Sequence, residues 1–204
     1  MQIYLNEFLL LSSALFLALL SPGPDFAITV KQTVNYGKKH AIFTSLGIGL
    51  GIGVHIVYTL FGIGLLISQS PILFNTIKII GALYLVYLGY QNIVSKGMFL
   101  NPNHKNKTIS LKKSFTMGFF CNVLNPKATI FFISIFTAIV SIDTPIYIQA
   151  LYGLFCMLAN FLWYSLLAII LEKRKNLELF NKNQLLFEKL IGIILVILGI
   201  YIIF

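Results

Sequence analysis

The chain has 204 residues, of which 58% are apolar and only 10% charged, and its mean hydropathy is +0.89. A soluble domain carries about 25% charged residues and cannot bury this much apolar surface, so that class is excluded, and disorder with it. The net charge of +9 does not indicate nucleic acid, because the basic residues sit in short loops between apolar runs. Those runs are continuous rather than alternating, which argues against a transmembrane β-barrel. What remains is an all-α integral membrane protein with the lipid bilayer as its partner.

Six spans are predicted, in a single transmembrane domain over 1–204. The first, 4–36, begins with an apolar stretch that carries Glu7 but no Lys or Arg, so a cleaved secretory signal is not expected. It is interrupted near 21–25 by Ser21-Pro22-Gly23-Pro24-Asp25. Each proline removes a backbone donor and bars the residue before it from the α region, so no helix runs through. Gly23–Pro24 or Ser21–Pro22 can start a new half-helix. Beyond the break, Thr29, Gln32 and Thr33 form a polar face that can line a path to the cytoplasm.

The second span, 40–68, contains two overlapping GxxxG patterns between Gly47 and Gly53. Close helix packing is the default reading, with a backbone-lined substrate path past Gly51 as the alternative. His55, one turn on, is a hydrogen-bonded interior histidine or a proton relay. The third span is 72–94. The fourth, 114–141, is interrupted near 125–127, where Asn125 is placed to cap a new half-helix and Pro126 to occupy its first position. The fifth and sixth are 145–171 and 185–204. Cys121 and Cys156 lie in apolar stretches without a CxxC or Cys/His cluster, so neither a disulfide framework nor a metal is indicated. No cofactor is expected.

Charge fixes orientation. Most of the 15 basic residues fall in the loops between spans 1 and 2, 3 and 4, and 5 and 6. The positive-inside rule puts these loops in the cytoplasm and both termini outside. The polar stretch 96–113 is a cytoplasmic linker between two three-span halves, approximately 1–95 and 114–204. An odd number of spans per half makes the halves insert with opposite orientation. Pro22 and Pro126 interrupt corresponding spans, and Gly81 and Gly89 in span 3 have counterparts in Gly192 and Gly199 of span 6. The pattern is that of a 3+3 inverted-topology repeat, whose paired broken helices mark a midplane site in transporters.

Depth agrees. From Lys113 to Lys127 is about 21 Å of helix, and from Asp25 to Gly37 about 18 Å, against a hydrocarbon core of about 30 Å. The half-helix N-termini carry partial positive charge and can hold a carboxylate. Asp25 suits the dipole of its own half-helix, while Lys127 opposes its own and needs a partner or a task. The candidate site is therefore Asp25, Lys127, Asn125, Pro22, Gly23, Pro24 and Pro126, with Gly51 and His55 as weaker members. Asp25 and Lys127 form a structural ion pair or a gate at which substrate charges or protons compete for the two, unless Lys127 snorkels to an interface. Asp25 is the one carboxylate read as lying well inside a span, which favours a neutral substrate over a dibasic one.

At this point the chain resembles the LysE/RhtB family of bacterial amino-acid exporters. The resemblance rests on Ser21-Pro22-Gly23-Pro24-Asp25, the glycine-rich span ending in His55, Gly81 to Gly89 in span 3, Asn125-Pro126-Lys127, and Gly192 to Gly199. It implies export of amino acids or close derivatives from the cytoplasm, driven by the proton gradient, in the plasma (inner) membrane of a bacterium. It also admits a homodimer. A metal or inorganic-ion exporter is the alternative, but one His, two separated Cys and one Asp are few ligands for it. An intramembrane enzyme would need a nucleophile–base constellation or an aspartate pair, which the spans lack, so no catalytic residue is assigned.

Overall fold

Prolines and glycines set where the helices begin and end. The computed structural model describes residues 2–69, 71–97, 109–141 and 143–203, and every regular element among them is a helix. α1 (Gln2–Leu20) stops ahead of Pro22, and α2 (Pro24–Tyr36) starts with Gly23 as N-cap and Pro24 at its first position. Of the two starts open to the sequence, Gly23–Pro24 is the one used. α2 ends at Gly37, whose φ of 85° suits glycine and whose N–H bonds the Thr33 carbonyl. α3 (Lys38–Gln69) and α4 (Pro71–Ile93) follow. α5 (Leu111–Val123) is capped by the Ser110 hydroxyl, which accepts from the Lys113 N–H at 3.2 Å. α6 (Pro126–Ile139), α7 (Ile146–Leu171) and α8 (Arg174–Ile203) complete the chain. Most of the 96–113 linker lies outside the described residues.

Among the described residues four helices are long and apolar enough to cross a bilayer: α1, the Lys38–Gly62 stretch of α3, α7, and the Glu178–Ile203 stretch of α8. α5 and α6, bent by 57° where they meet, together make a fifth. α4 offers a shorter apolar stretch, Ile79–Ile93. Six spans are predicted, and four to five meet the length and composition of a crossing. α4 accounts for the difference, since its apolar stretch Ile79–Ile93 is shorter than a crossing, while the 19 residues of α1 alone make about 28 Å of helix before the break.

The helices are apolar outside, and their polar side chains turn inward beside a buried apolar core. α7 turns Leu151, Leu154, Leu158, Leu162 and Leu166 outward at helical spacing and buries Gln149, Tyr152, Asn160 and Tyr164. α3 exposes Leu46, Leu50, Val54 and Val57 and buries Thr44, Ser45, His55 and Thr59. This is the arrangement that lipid demands, since the bilayer solvates alkyl groups and not polar ones.

The glycines of α3 serve two packing faces. A Cβ on Gly47 would lie 2.7 Å from the Phe119 nitrogen of α5, and one on Gly51 2.7 Å from Asn122 Oδ1 of the same helix. Gly49 and Gly53 instead face Phe161 and Met157 of α7. The two overlapping GxxxG patterns are thus two different helix contacts, the close approach that small residues permit. Gly89 of α4 and Gly192 of α8 meet in the same way, a Cβ on either lying 2.5 Å from the other's carbonyl oxygen.

Loop contacts sort the two ends of the bundle. Lys38 pairs with Glu172 at 3.0 Å, and His40 Nε2 lies 3.1 Å from the Ile109 carbonyl. These contacts bring the three basic connections to one end. At the other end the Glu7 carboxylate accepts from the Ser141 N–H and the Thr144 hydroxyl, each at 2.9 Å, and from the Tyr152 hydroxyl at 3.3 Å.

Candidate functional site

The breaks in α1–α2 and α5–α6 meet inside the bundle, and each receives the charged residue of the other. Asp25 and Lys127 hold matching positions, each the second residue of a half-helix that starts with proline. At the second break Asn125 caps α6, its side-chain oxygen accepting from the Lys127 N–H at 3.0 Å. Its amide nitrogen is left to donate to Asp25 Oδ2 at 3.3 Å, and Asn122 donates to the same oxygen at 2.9 Å. Asp25 is 7% exposed, and its other oxygen, Oδ1, has no hydrogen-bond partner.

Lys127 crosses the other way. Its Nζ donates to Ser21 Oγ at 2.9 Å and lies 3.5 Å from the Ser21 carbonyl. Ser21 follows the last residue of α1, so the ammonium sits at the negative end of that helix. The conflict with the dipole of α6 is resolved by reaching across to α1. Among the described residues the ion pair within 4.0 Å is Lys38–Glu172, so Asp25 and Lys127 do not form the direct structural pair considered from the sequence. Each neutralises part of the other's break through neutral hydrogen-bonding side chains instead.

Two cavities flank Lys127 and Gly23–Pro24, which line both. The smaller, about 50 Å³, touches Asp25, Ser21, Asn125, Asn160 and Tyr164. That is room for groups the size of a water or an ammonium. The larger, about 540 Å³, is lined by Pro22, Pro126, Tyr84, Tyr87, Gln91, Asn92 and Glu188. Its size is that of a small-molecule pocket. Gly23 leaves space for the lysine stem, since a Cβ there would come 3.3 Å from Nζ.

Residues 16–204 match the family described as LysE type translocator. The chain belongs to the LysE-type translocator family. It is 34% identical over 189 residues to an uncharacterised membrane protein of Bacillus subtilis, covering 88% of this chain and 90% of that one. It is 31% identical over 166 residues to the threonine efflux protein of Escherichia coli K12, covering 79% and 80%. A leucine efflux protein of Salmonella typhimurium is 29% identical over 145 residues, covering 69% and 66%. No solved structure matches the chain.

In this LysE-type translocator the weaker candidates fall beside the site. Gly51 packs on Asn122 and lines neither cavity described. His55 is fully buried, with Nε2 3.0 Å from the Asn122 carbonyl and Nδ1 2.5 Å from the Tyr58 hydroxyl. That is the arrangement of a hydrogen-bonded interior histidine. Thr29, Gln32 and Thr33 do not line an open path. They are buried, the threonines bonding back to their own helix and Gln32 meeting Ser114 and Met117 of α5.

Sequence reasoning also missed residues. Asn122 is an unremarked polar position whose one signal is its spacing, one turn ahead of Asn125. Asn92 takes the Ser21 hydroxyl at 2.8 Å. Asp25 is not the one acid within the helices: Glu7 is 5% exposed in α1 and Glu188 3% exposed in α8. The argument for a neutral over a dibasic substrate therefore falls away. Among the described residues no three His, Cys, Asp or Glu side chains gather as a metal cluster.

Proposed function

We propose that this chain exports amino acids or small amino-acid derivatives from the cytoplasm by proton-coupled alternating access. The observation that carries this reading is the reciprocal crossing of Asp25 and Lys127 between two broken helices. A zwitterion needs an acceptor for its ammonium and donors for its carboxylate, a few ångströms apart and shielded from water. Asp25 Oδ1 is a buried acceptor without a partner, and the Lys127 ammonium with the α2 and α6 N-termini are donors beside it. The relatives named for threonine and leucine efflux support the same substrate class.

The transport cycle rests on six spans as two inverted halves: α1 with α2, α3 and α4 against α5 with α6, α7 and α8. The matching positions of Asp25 and Lys127, and the gathering of the basic connections at one end, support this arrangement. The large cavity is lined by the C-terminal half of α4 and by Glu188 of α8 and reaches Lys127, so in this reading it serves as the cytoplasmic entrance. Rocking one half against the other would exchange that access. The bacterial relatives support the inner membrane as its location, and a homodimer is the assembly carried with this reading.

The test is efflux of a labelled amino-acid panel from proteoliposomes under an imposed pH gradient, with Asp25→Asn alongside. Export of at least one amino acid that collapses in Asp25→Asn is expected. Normal transport by the variant refutes the role of Asp25, and no gradient-driven flux of any amino acid by the unaltered protein refutes the export reading.

A further inference from the structure

The large cavity holds a carboxylate that the Asp25 site does not use. Glu188 lies ten residues into the membrane-spanning stretch of α8, about 15 Å along the helix. It is 3% exposed, lines the cavity, and its Oε2 has no hydrogen-bond partner. The next residue, Lys189, is exposed, so α8 turns one charge outward and its neighbour inward. An acid buried among apolar helices is costly, and an unpaired oxygen on it more so. The closest approaches of α8 to α4 are made by glycines, Gly192 at Gly89 and Gly199 at Ala82 and Val86, rather than by Glu188.

The surroundings fit one kind of ligand. Lys127 lines the same cavity as Glu188 and also lines the smaller cavity that touches Asp25. Gln91 and Asn92 add amides, and Tyr84 and Tyr87 add aromatic faces for a side chain. An acid and a base facing one space of about 540 Å³ suit a molecule that carries both charges.

We propose that Glu188 and Lys127 form a cytoplasmic loading station for a free amino acid, Glu188 taking its ammonium and Lys127 its carboxylate, ahead of the Asp25 site. This rests on the export reading above. Substrate would then pass from Glu188 to Asp25 while its carboxylate stays with Lys127, the residue common to both cavities. The α-ammonium is the recognised group, so an acid lacking it would bind poorly.

The experiment uses everted membrane vesicles, whose outer face is the cytoplasmic one, and threonine with its deaminated analogue 3-hydroxybutanoate. Leucine with 4-methylpentanoate is a second pair. Glu188→Gln is expected to raise the half-saturating amino acid by about 10-fold or more, the least effect of a lost charge-assisted hydrogen bond. It should also abolish the preference for threonine over 3-hydroxybutanoate in ligand-induced thermal shifts of the purified protein. Glu188→Asp, which keeps the charge, should retain the preference and raise half-saturation less. If Glu188→Gln does not fold, Glu188→Asp decides, and an unchanged half-saturation there overturns the proposal. Transport by the unaltered protein, with Glu188→Gln matching it in both readouts, overturns the loading station alone. An unaltered protein that neither moves nor distinguishes either pair overturns the export reading, and the station with it.

Discussion

Asn122 is where the packing of the bundle touches its chemistry, and Asn122→Ala is the perturbation that tests it. The side-chain amide donates to Asp25 Oδ2 at 2.9 Å, while the carbonyl of the same residue holds His55. Asn125 also reaches Oδ2, but at 3.3 Å, so it replaces the lost bond incompletely. A hydrogen bond to a charged group contributes about 1.5–3 kcal/mol. Removing it should slow export by roughly 10- to 100-fold if Asp25 must be held in place for the step. Gly51 provides an independent route to the same bond. A Cβ there meets Asn122 Oδ1 at 2.7 Å and its Cβ at 3.0 Å, tighter than ordinary contacts allow, so Asn122 must move. Gly51→Ala should therefore lose part of the same activity, and the double variant no more than Asn122→Ala alone. Gly53→Ala is the control, because the atom it meets is the flexible end of Met157, at 3.0 Å. The assay is the initial rate of labelled amino-acid uptake into everted vesicles at matched protein amounts, with thermal unfolding of each purified variant. Asn122→Ala at the unaltered rate, or rate losses that add in the double variant, would refute the reasoning.

Lys127→Met removes both contacts to Ser21 and leaves Asp25 and Glu188 without their shared cation. Export should fall at least about 100-fold, as for one partner stripped from a buried charge pair, and Ser21→Ala should lose less. A Lys127→Met protein that exports normally would remove the lysine from the mechanism. Glu7→Gln should lower the unfolding midpoint, since it weakens the bonds to Ser141, Thr144 and Tyr152 by about 1.5–3 kcal/mol in all, while export per folded molecule stays unchanged. Lost export without lost stability would give Glu7 a part in transport. Lys38→Ala breaks an ion pair whose side chains are 55% and 40% exposed, so its effect on stability should stay under about 1 kcal/mol in a thermal melt.

What the sequence made legible is what acts locally. Pro24 and Pro126 restart helices through their own rings, and Asn125 caps α6 with its own side chain, so a few adjacent residues placed the start of α6 and narrowed that of α2 to two positions. The membrane class followed from composition alone. What stayed hidden depends on partners far away in the chain. Asn122 meets Asp25 across 97 residues, and nothing beside it announces that. Glu188 stands next to Lys189 at the edge of a basic loop, where an acid reads as solvated. Only the rotation of α8 against α4 turns it inward. Lys127 was legible as an anomaly, opposed to its own helix dipole, but its resolution at the end of α1 required the fold.

The charges of the site suggest why export and proton entry would be tied together. Asp25 and Glu188 are two buried acids, and Lys127 is one base that lines the cavities of both. With all three ionised the interior carries an excess negative charge, which a low-dielectric environment disfavours. One proton shared between the two acids restores neutrality, and a zwitterion, having no net charge, leaves that requirement in place. In the proposed cycle an amino acid whose ammonium sits on Glu188 leaves the proton to Asp25. When the ammonium moves outward to Asp25, the proton is displaced to Glu188, toward the cytoplasm. On this proposal substrate and proton would trade places in opposite directions, with neutrality as the constraint that ties them. Glu188→Gln removes the excess charge and with it the need for the proton. Whatever transport that variant retains should then be indifferent to an imposed pH gradient in proteoliposomes. Residual flux that still rises with the gradient would break the link between the two acids.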